Sequence, residues 1–172
     1  VGTGKSAVAA SLGEATGAPV VRSDEARKRL AGIQPDEHRY EDYDKGIYSE
    51  EFTDKTYTQL LNEASEILGG GRSIILDASY KSRASREGAA ALAREKGARF
   101  FIVECVCEEE VVRARLKKRM GEKEVSDGRW ETYERQKHGF EQITENEGRL
   151  IRIDSARPVE ENMELILKVI GR

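Results

Sequence analysis

Cysteine, proline and long apolar runs are scarce in this sequence of 172 residues. Its two cysteines, Cys105 and Cys107, and its two histidines make a poor zinc-binding set, so we expect both thiols to be buried and reduced. No run approaches the roughly 20 apolar residues that span a membrane, and no basic-then-apolar leader opens the chain. These absences argue against secretion and against a membrane partner, and they favour a cytoplasmic location.

An excess of either charge is also lacking. Lys and Arg number 29 against 32 Asp and Glu, a net charge of −3. This balance excludes a generally basic surface, so a nucleic-acid partner is possible but disfavoured. With 38% hydrophobic and 35% charged residues, the composition is that of a globular chain. The length fits a single domain over residues 1–172.

Strand-like and helix-like segments alternate along the chain, with no internal repeat. The predicted strands are Pro19–Arg22, Ser73–Asp77, Arg99–Cys107 and a fourth that includes Leu150–Ile153. Two helical segments have the i, i+3, i+4, i+7 spacing of one buried face. Their apolar residues are Tyr57, Leu60, Leu61, Ala64, Ile67 and Leu68 in the first and Val159, Met163, Ile166, Leu167 and Ile170 in the second. The alternation predicts the α/β class, with a parallel sheet covered by helices on both faces.

Two polar connections interrupt this pattern. Ile33–Phe52 is acidic and carries three tyrosines, and Arg119–Gly128 is charged and contains glycine. Long connections in an α/β enzyme carry function more often than packing, so we expect a functional role for both. The glycine triplet Gly69–Gly71 instead marks the end of the first predicted helix.

The chain opens with the second part of the motif G-x-x-x-x-G-K-[ST], whose first glycine is expected two residues before Val1, after a strand that is missing upstream. Glycines let backbone N–H groups face phosphate oxygens, and a following helix directs its positive end at them. We expect Lys5 to reach the β- and γ-phosphates of ATP and Ser6 to bind Mg²⁺. The predicted nucleotide-binding residues are Gly2, Thr3, Gly4, Lys5, Ser6 and Ala7. The alternative is a glycine-rich turn that only caps a helix.

Asp77 ends the apolar strand Ser73–Leu76 and is the second candidate Mg²⁺ ligand. The alternative is that Asp77 caps the next helix. Ala78 follows where a motor ATPase usually has glutamate, and no N-K-x-D motif for reading guanine occurs. Motor ATPases and GTPases are therefore disfavoured, which leaves a kinase or a nucleotide-binding domain with incidental hydrolysis.

Asp24 lies where the strand Pro19–Arg22 gives way to a helix. In a doubly wound sheet this position is at the carboxyl ends of the strands, beside the phosphate loop. A carboxylate there can accept the proton of an acceptor hydroxyl, so Asp24 is a candidate catalytic base. The blander interpretation is helix capping, with Ser23 as N-cap and two acids in the first turn. Arg27 shares the helical face of Asp24.

These motifs together resemble those of P-loop kinases, a group that includes 5′-hydroxyl polynucleotide kinases. Nearly the whole chain resembles the kinase-like ATP-binding domain often joined to aminoglycoside phosphotransferase-like domains in bacteria. The residues that carry the resemblance are Arg22–Leu30, Thr56, Tyr57, Ile74–Ser79, Arg83, Arg86 and Val125–Tyr133. It implies a P-loop NTPase fold of the kinase-like type with a helical lid, and a fused or neighbouring phosphotransferase-like domain as a possible partner.

The resemblance also implies roles for individual residues. Asp24 is expected as general base, Arg27 as an acceptor contact, and Arg83 as a second residue facing the acceptor. The adenine is expected near the loop Asp154–Pro158.

Arg115 and Arg119 are four residues apart in a basic segment and share one helix face. In P-loop kinases an R-x-x-x-R helix that begins the lid supplies cations to the transferring phosphoryl group, so we expect both arginines to be catalytic. A solvated basic face is the alternative. Trp130 and Tyr133, three residues apart, are predicted to lie in the core rather than to stack on adenine.

The sequence thus predicts a kinase that moves the γ-phosphoryl group of ATP, with Mg²⁺, to a hydroxyl group. The alternatives are a polynucleotide 5′-hydroxyl kinase and a non-catalytic ATP-binding regulatory module. The segment between Ile33 and Phe52 contains seven acidic residues and only two Lys or Arg residues. It follows the helix that carries Asp24. If it overhangs the acceptor site it repels a polynucleotide, so a small neutral or cationic acceptor is favoured. A solvated loop that points away from the site is the alternative.

Overall fold

The computed structural model describes residues 2–34, 46–119 and 127–171. Helices and strands alternate along the described chain, as predicted. The helices are α1 (Lys5–Thr16), α2 (Ser23–Leu30), α3 (Glu50–Gly69), α4 (Arg83–Glu95), α5 (Glu109–Arg119), α6 (Asp127–His138) and α7 (Val159–Ile170). The strands are β1 (Val20–Arg22), β2 (Ile75–Asp77), β3 (Phe101–Val106) and β4 (Arg149–Asp154), with short 3₁₀ turns at Gly46–Tyr48 and Glu145–Glu147.

All observed strand pairing is parallel, which confirms the predicted α/β fold. β1 pairs with β2, with Val20 opposite Ile75 and Arg22 opposite Asp77. β3 pairs with β4 along six residues, from Phe101 opposite Arg149 to Val106 opposite Asp154. The described residues thus form two sheets of two strands each. The predicted upstream strand and first motif glycine lie outside these residues and stay predictions.

The strands β1 and β2 end where predicted, at Arg22 and Asp77, but begin later, at Val20 and Ile75. Proline has no N–H to donate to a ladder, and Ser23 is already the first residue of α2. Pro19 takes part through its carbonyl alone, which accepts a hydrogen bond of 2.9 Å from the Ile75 N–H. The early start of α2 brings its first turn to the carboxyl end of the sheet.

Helix α3 begins within the segment that the sequence suggested as a connection. Ser49 is its N-cap and accepts a hydrogen bond from the Phe52 N–H at 3.3 Å, so residues 50–52 are helical and this part of the prediction is wrong. Residues 35–45 of that connection lie outside the described part of the chain. The helix ends at Gly69, and Gly71 at φ 72° releases the chain toward β2, as the glycine triplet predicted.

The second predicted connection, Arg119–Gly128, is bounded by α5 and α6. Helix α5 reaches Arg119 and α6 begins at Asp127, so both ends of the connection are helical. Residues 120–126 lie outside the described part of the chain.

Buried side chains form three clusters. One joins α1, α7 and β4 through Val8, Met163, Ile166, Ile151 and Ile153. A second lies between the β1–β2 sheet and α2–α3, with Val21, Ala26, Leu60 and Ala78. The third joins α5 and α6 through Val112, Leu116 and Tyr133, with Trp130 packed against it. Tyr133 therefore belongs to the core as predicted, whereas Trp130 is half-buried at its margin.

The two cysteines depart in part from the prediction. Neither Cys105 nor Cys107 is in a disulfide, but both are half-buried rather than buried. Cys105 is in β3, and Cys107 lies just past its last residue, Val106. Within the described ranges we find no helix that combines the length and the apolar character needed to cross a membrane.

Candidate functional site

The phosphate loop adopts a conformation that requires glycine. Gly2 and Gly4 have φ values of 77° and 82°, in the left-handed region that disfavours other residues. Gly4 is the N-cap of α1, and its carbonyl accepts the N–H groups of Ala7 and Val8 at 3.1 and 3.2 Å. The loop therefore leads directly into a helix N-terminus, which is a favourable place for a phosphate.

Both glycines are also crowded. A Cβ atom on Gly4 would lie 3.3 Å from Arg115 Nη1, and one on Gly2 would lie 2.9 Å from Val112 Cγ1. Helix α5 therefore packs against the loop from one side. This contact leaves room for backbone only, so the loop can be shaped by glycine and by no larger residue.

Lys5 and Asp77 lie around the same end of strand β3. Lys5 Nζ donates to Thr3 Oγ1 at 3.3 Å, which keeps the ammonium group over the loop. Burial raises the pKa of the Cys105 thiol to about 11, and the charges of Lys5 and Asp77 act on it in opposite directions. Lys5 and Asp77 are thus both near enough to Cys105 for their charges to act on its thiol.

Asp77 ends β2 with its side chain 6% exposed. Its Oδ2 lies 3.4 Å from Nε of Arg22, the residue opposite it in the ladder, and Arg22 also pairs with Glu25 at 3.3 Å. The guanidinium of Arg22, which pairs with both acids, therefore balances the negative charge of Asp77 at the end of the sheet.

The donor set fits magnesium. Asp77 offers a carboxylate and Ser6, in the first turn of α1, offers a hydroxyl, and both are the hard oxygen ligands that Mg²⁺ prefers. Across the described residues no group of three or more His, Cys, Asp or Glu side chains could hold a metal alone. A metal here would depend on phosphate oxygens of a nucleotide, which is how Mg²⁺ is usually bound in kinases.

Asp24 is exposed in the first turn of α2, just beyond the end of β1. Arg22 occupies the N-cap position without a side-chain capping bond, and Ser23 is the first helical residue. The interpretation of Ser23 as N-cap is therefore wrong, because the helix starts one residue earlier than the sequence suggested. The other half of that interpretation holds, because Asp24 and Glu25 both lie in the first turn of α2, where acids are favourable. Asp24 also follows directly on β1, whose last residue is opposite Asp77.

Arg27 is 9% exposed and built into the junction of α2 with α3. Both terminal nitrogens lie 3.3 Å from Thr53 Oγ1, Nη1 also donates to the Ile47 carbonyl, and the guanidinium lies 5.2 Å from the Tyr48 ring centre. Burial lowers its pKa, against smaller opposing effects of Tyr48, Tyr57 and Asp24. In this structure the arginine holds the chain together beside Asp24.

Arg115 connects the phosphate loop with the β4–α7 loop. Its Nη1 donates to Ser155 Oγ at 3.2 Å, its Nη2 donates to the Ser155 carbonyl, and Nη1 faces Gly4. Arg119 is the last residue of α5, and its side chain lies outside what the structure describes. The structure therefore places one of the two predicted lid arginines at the nucleotide loop.

The β4–α7 loop is internally braced. Asn162, which is buried, donates from Nδ2 to the carbonyls of Asp154 and Pro158 at 2.9 and 3.4 Å. The Ala156 N–H donates to Asp154 Oδ1 at 2.9 Å. Neither Ser155, in the loop, nor Asn162, in α7, was identified individually from the sequence, because a single polar residue gives no signal of what it contacts.

Hydroxyl groups line the turn after Asp77. Tyr57 OH lies 3.2 Å from Ser79 Oγ and accepts the Tyr80 N–H at 2.9 Å. Tyr80 has φ 42°, an unusual conformation for an aromatic residue, and its ring packs edge-on against Tyr57 at 5.1 Å. Burial raises the pKa of the Tyr80 hydroxyl, for which the described residues supply no hydrogen-bond partner.

Comparison with known families identifies the family of this chain. A family model described as an AAA domain (AAA_33) matches residues 1–143. The chain belongs to this AAA domain family. Uncharacterized proteins of Mycobacterium bovis and Mycobacterium tuberculosis are 32% identical to it over 122 residues, which is 70% of this chain and 24% of theirs. The AAA domain thus spans about a quarter of the length of these relatives.

Solved structures similar to this AAA domain are P-loop kinases. A sugar kinase from Janibacter sp. HTCC2649 has a TM-score of 0.70 at 19% identity, covering 98% of this chain and 88% of that one. A gluconokinase from Sinorhizobium meliloti 1021 has 0.68 at 20%, covering 100% and 87%. An APS kinase of Mycobacterium tuberculosis, in complex with AMPPNP and APS, has 0.67 at 18%, covering 99% and 92%. The AAA domain therefore has the P-loop kinase fold.

Not every predicted site residue of the AAA domain comes to one place. Arg115 lies beside Gly4 of the phosphate loop, and Asp24 follows β1, whose last residue Arg22 is the register partner of Asp77. Arg83 begins α4, half-exposed, with Nε 3.7 Å from Glu147. Its predicted contact with an acceptor, like that of Arg27, stays a prediction.

Proposed function

We propose that this AAA domain is an ATP-dependent kinase that transfers the γ-phosphoryl group, with Mg²⁺, to a hydroxyl of a small molecule. The proposal is supported by a left-handed glycine loop at the start of α1, the buried carboxylate of Asp77 at the end of β2 and the exposed carboxylate of Asp24 just beyond the paired strand β1. Two carboxylates of such different exposure suit two tasks, metal binding and proton acceptance.

In this proposal the loop residues Gly2–Ala7 hold the triphosphate. The backbone N–H groups at the start of α1 face the phosphates, and Lys5 neutralises charge on the β- and γ-phosphates. Ser6 and Asp77 would hold Mg²⁺, which supplies charge neutralisation and orientation of the phosphates when bound. Arg115, beside Gly4, binds the nucleotide from the side of the β4–α7 loop, where the adenine is expected.

Transfer then needs one proton acceptor. Asp24 takes the proton of the acceptor hydroxyl as its oxygen forms a bond with the γ-phosphorus, and the bond from that phosphorus to the bridging oxygen breaks to release ADP. Arg119 is proposed to add positive charge to the phosphoryl group during transfer. Arg27 and Arg83 are proposed to orient the acceptor, directly or through the segments that they hold.

A small acceptor is favoured over a nucleic-acid end. The turn after Asp77 presents hydroxyl groups of Tyr57 and Ser79, which suit a hydroxylated small molecule. The names of the similar structures, a sugar kinase, a gluconokinase and an APS kinase, support this acceptor class. A cytoplasmic location and a fused phosphotransferase-like domain in longer relatives stay predictions.

The test is a screen for ADP release with ATP·Mg²⁺ and pooled hydroxyl compounds. The pools contain sugars, gluconate, adenosine 5′-phosphosulfate and a 5′-hydroxyl oligonucleotide at low and moderate salt. We expect turnover with one small-molecule pool, abolished by Lys5→Ala and retained by Lys55→Ala, whose side chain pairs with Glu51 on exposed α3. Efficient, salt-sensitive phosphorylation of the oligonucleotide would instead establish end repair. Nucleotide binding without transfer to any pool would support a regulatory module.

A further inference from the structure

Arg86 is a buried cation to which the proposed chemistry gives no role. It lies in α4 and is 2% exposed, among the most buried large side chains in the described chain. A buried guanidinium is costly unless all of its donors are used. Its contacts therefore indicate what it holds.

One side of the guanidinium binds a carboxylate. Nε and Nη2 donate to the two oxygens of Glu147, in the 3₁₀ turn before β4, and the Phe140 ring centre lies 5.6 Å away. The hydrogen bond from Arg86 is the main cause that lowers the pKa of Glu147 to about 2. Glu147 is therefore ionised at neutral pH, and the pair stays charged.

The other side of the guanidinium binds the turn after Asp77. Nη1 donates to the carbonyl oxygens of Tyr80 and Lys81 at 2.8 and 3.3 Å. Tyr80 is held from the opposite side as well, because its N–H donates to the Tyr57 hydroxyl at 2.9 Å. A bulky residue at φ 42° persists only where its surroundings impose it, and these two contacts are such a constraint.

The same turn is joined to the chain that returns from α6. The Glu141 N–H donates to the Lys81 carbonyl at 2.9 Å, and the Arg83 N–H donates to the Glu141 carboxylate. Glu147 also accepts the Thr144 N–H at 2.9 Å within a capping box. Arg86 thus lies where the turn, α4 and the α6–β4 connection meet.

We propose that Arg86 is a positioning residue for the acceptor side of the site. It fixes the backbone of Tyr80 and Lys81 and thereby the Ser79 and Tyr57 hydroxyls beside the end of β2, and it ties this arrangement to the connection after α6. The part that concerns the acceptor rests on the proposed kinase function. The part that concerns the turn is independent of it.

The decisive comparison is between the loss of the ion pair and the loss of the bonds to the turn. The double variant Arg86→Met/Glu147→Gln removes the pair without leaving a lone buried charge, and the new amide side chain can keep the capping box. Arg86→Lys keeps a cation for Glu147 but lacks the fork that reaches the two carbonyls as well. Both variants therefore lose the bonds to the Tyr80 and Lys81 carbonyls, whereas only Arg86→Lys keeps a charged partner for Glu147.

Amide hydrogen exchange followed by NMR measures the stability of this turn without any acceptor. In both variants we expect the Tyr80 amide to exchange about tenfold faster or more, the loss of roughly one hydrogen bond to a charged group. The Ile75 amide, bonded to the Pro19 carbonyl in the neighbouring ladder, is the internal control and should keep its rate. Unchanged Tyr80 exchange in a folded Arg86→Lys protein would overturn the proposal.

Steady-state kinetics with the acceptor found in the screen measure whether a loosened turn weakens acceptor binding. KM for the acceptor should rise about tenfold while KM for ATP stays within about twofold, because one hydrogen-bond arm on the acceptor side is lost. If Arg86 only stabilises the fold, the double variant will recover both the Tm lost in Arg86→Met and the acceptor KM. Faster Tyr80 exchange without any detectable kinase activity would count against the proposed function and leave the positioning role standing.

Discussion

Arg22 and Asp77 are register partners at the carboxyl ends of β1 and β2, and Arg22 Nε lies 3.4 Å from Asp77 Oδ2. The cation thus contacts one oxygen of the carboxylate that we propose as a Mg²⁺ ligand. Arg22 is 44% exposed and has a second partner in Glu25, so it can leave Asp77 without losing every contact. Arg22 is therefore expected to compete with Mg²⁺ for this carboxylate.

The competition is testable with Arg22→Met. Removing the guanidinium should lower the Mg²⁺ concentration needed for half-maximal AMPPNP binding by about two- to fivefold, since a half-exposed ion pair is worth roughly 1 kcal/mol or less. Calorimetric titration at a series of Mg²⁺ concentrations measures it. Arg29→Met, in the helix that follows Arg22, is the matched control, because Arg29 pairs with Glu63 rather than with Asp77. An identical Mg²⁺ requirement in the two variants would contradict the competition.

Glycine at position 4 both allows a left-handed backbone and leaves room for the residues packed against the loop, and a pair of variants can separate these two effects. Gly4 and Gly97 both have left-handed φ values, 82° and 64°, but a Cβ meets Arg115 and Ser155 only at Gly4 and open space at Gly97. Gly97→Ala should cost about 1 kcal/mol of stability from backbone strain and leave nucleotide affinity unchanged.

Gly4→Ala should instead weaken AMPPNP binding more than about tenfold, because displacing the loop costs hydrogen bonds to charged phosphates. Chemical denaturation and nucleotide titration of both proteins measure the two effects. Equal nucleotide affinity in Gly4→Ala and the parent would mean that the loop does not bind phosphate through its backbone.

Much of the site was predictable because its signals are local. The phosphate loop needs glycines and a lysine in adjacent positions, and Asp77 follows directly on an apolar strand, so short stretches of sequence define both. The helix faces around Leu60 and Ile166 follow from periodicity, and both residues are fully buried. Motifs whose residues are neighbours in sequence need no knowledge of the tertiary structure.

The bracing around the site was not predictable because it depends on distant pairs. Arg86 and Glu147 are 61 residues apart, and Arg115 and Ser155 are 40 apart. The resemblance includes Arg86 but implies no role for it, and the residues next to it do not show that it is buried while Arg83 and Arg94 of the same helix are exposed. The left-handed Tyr80 was also missed, since the turn signals used for such positions are Gly and Asn rather than an aromatic residue.

Acid stability should depend on Glu147. Its pKa is lowered from 4.5 to about 2, chiefly by the hydrogen bond from Arg86. A depressed pKa means that the unfolded state takes up the proton first, so the contribution is complete above about pH 4.5 and is lost as the pH falls toward 2. Tm measured across this window should fall more steeply in the parent than in Glu147→Gln. Parallel curves would show that Arg86 does not hold the carboxylate ionised.

The proposed base is tested by Asp24→Asn. The amide keeps the shape of the side chain and its place in the first turn of α2, but it cannot accept the acceptor proton. We expect kcat to fall more than about tenfold, the contribution usual for a general base, while ATP affinity and Tm stay close to those of the parent.

Glu25→Gln is the matched control, because Glu25 is an exposed acid in the same turn and pairs with Arg22. It should retain kcat within about twofold, since a surface pair contributes little. Steady-state kinetics with the acceptor from the screen, with a pH profile of kcat, measures both. If Asp24→Asn stays fully active, or if Glu25→Gln loses as much kcat, Asp24 only stabilises the start of α2 and another group accepts the proton.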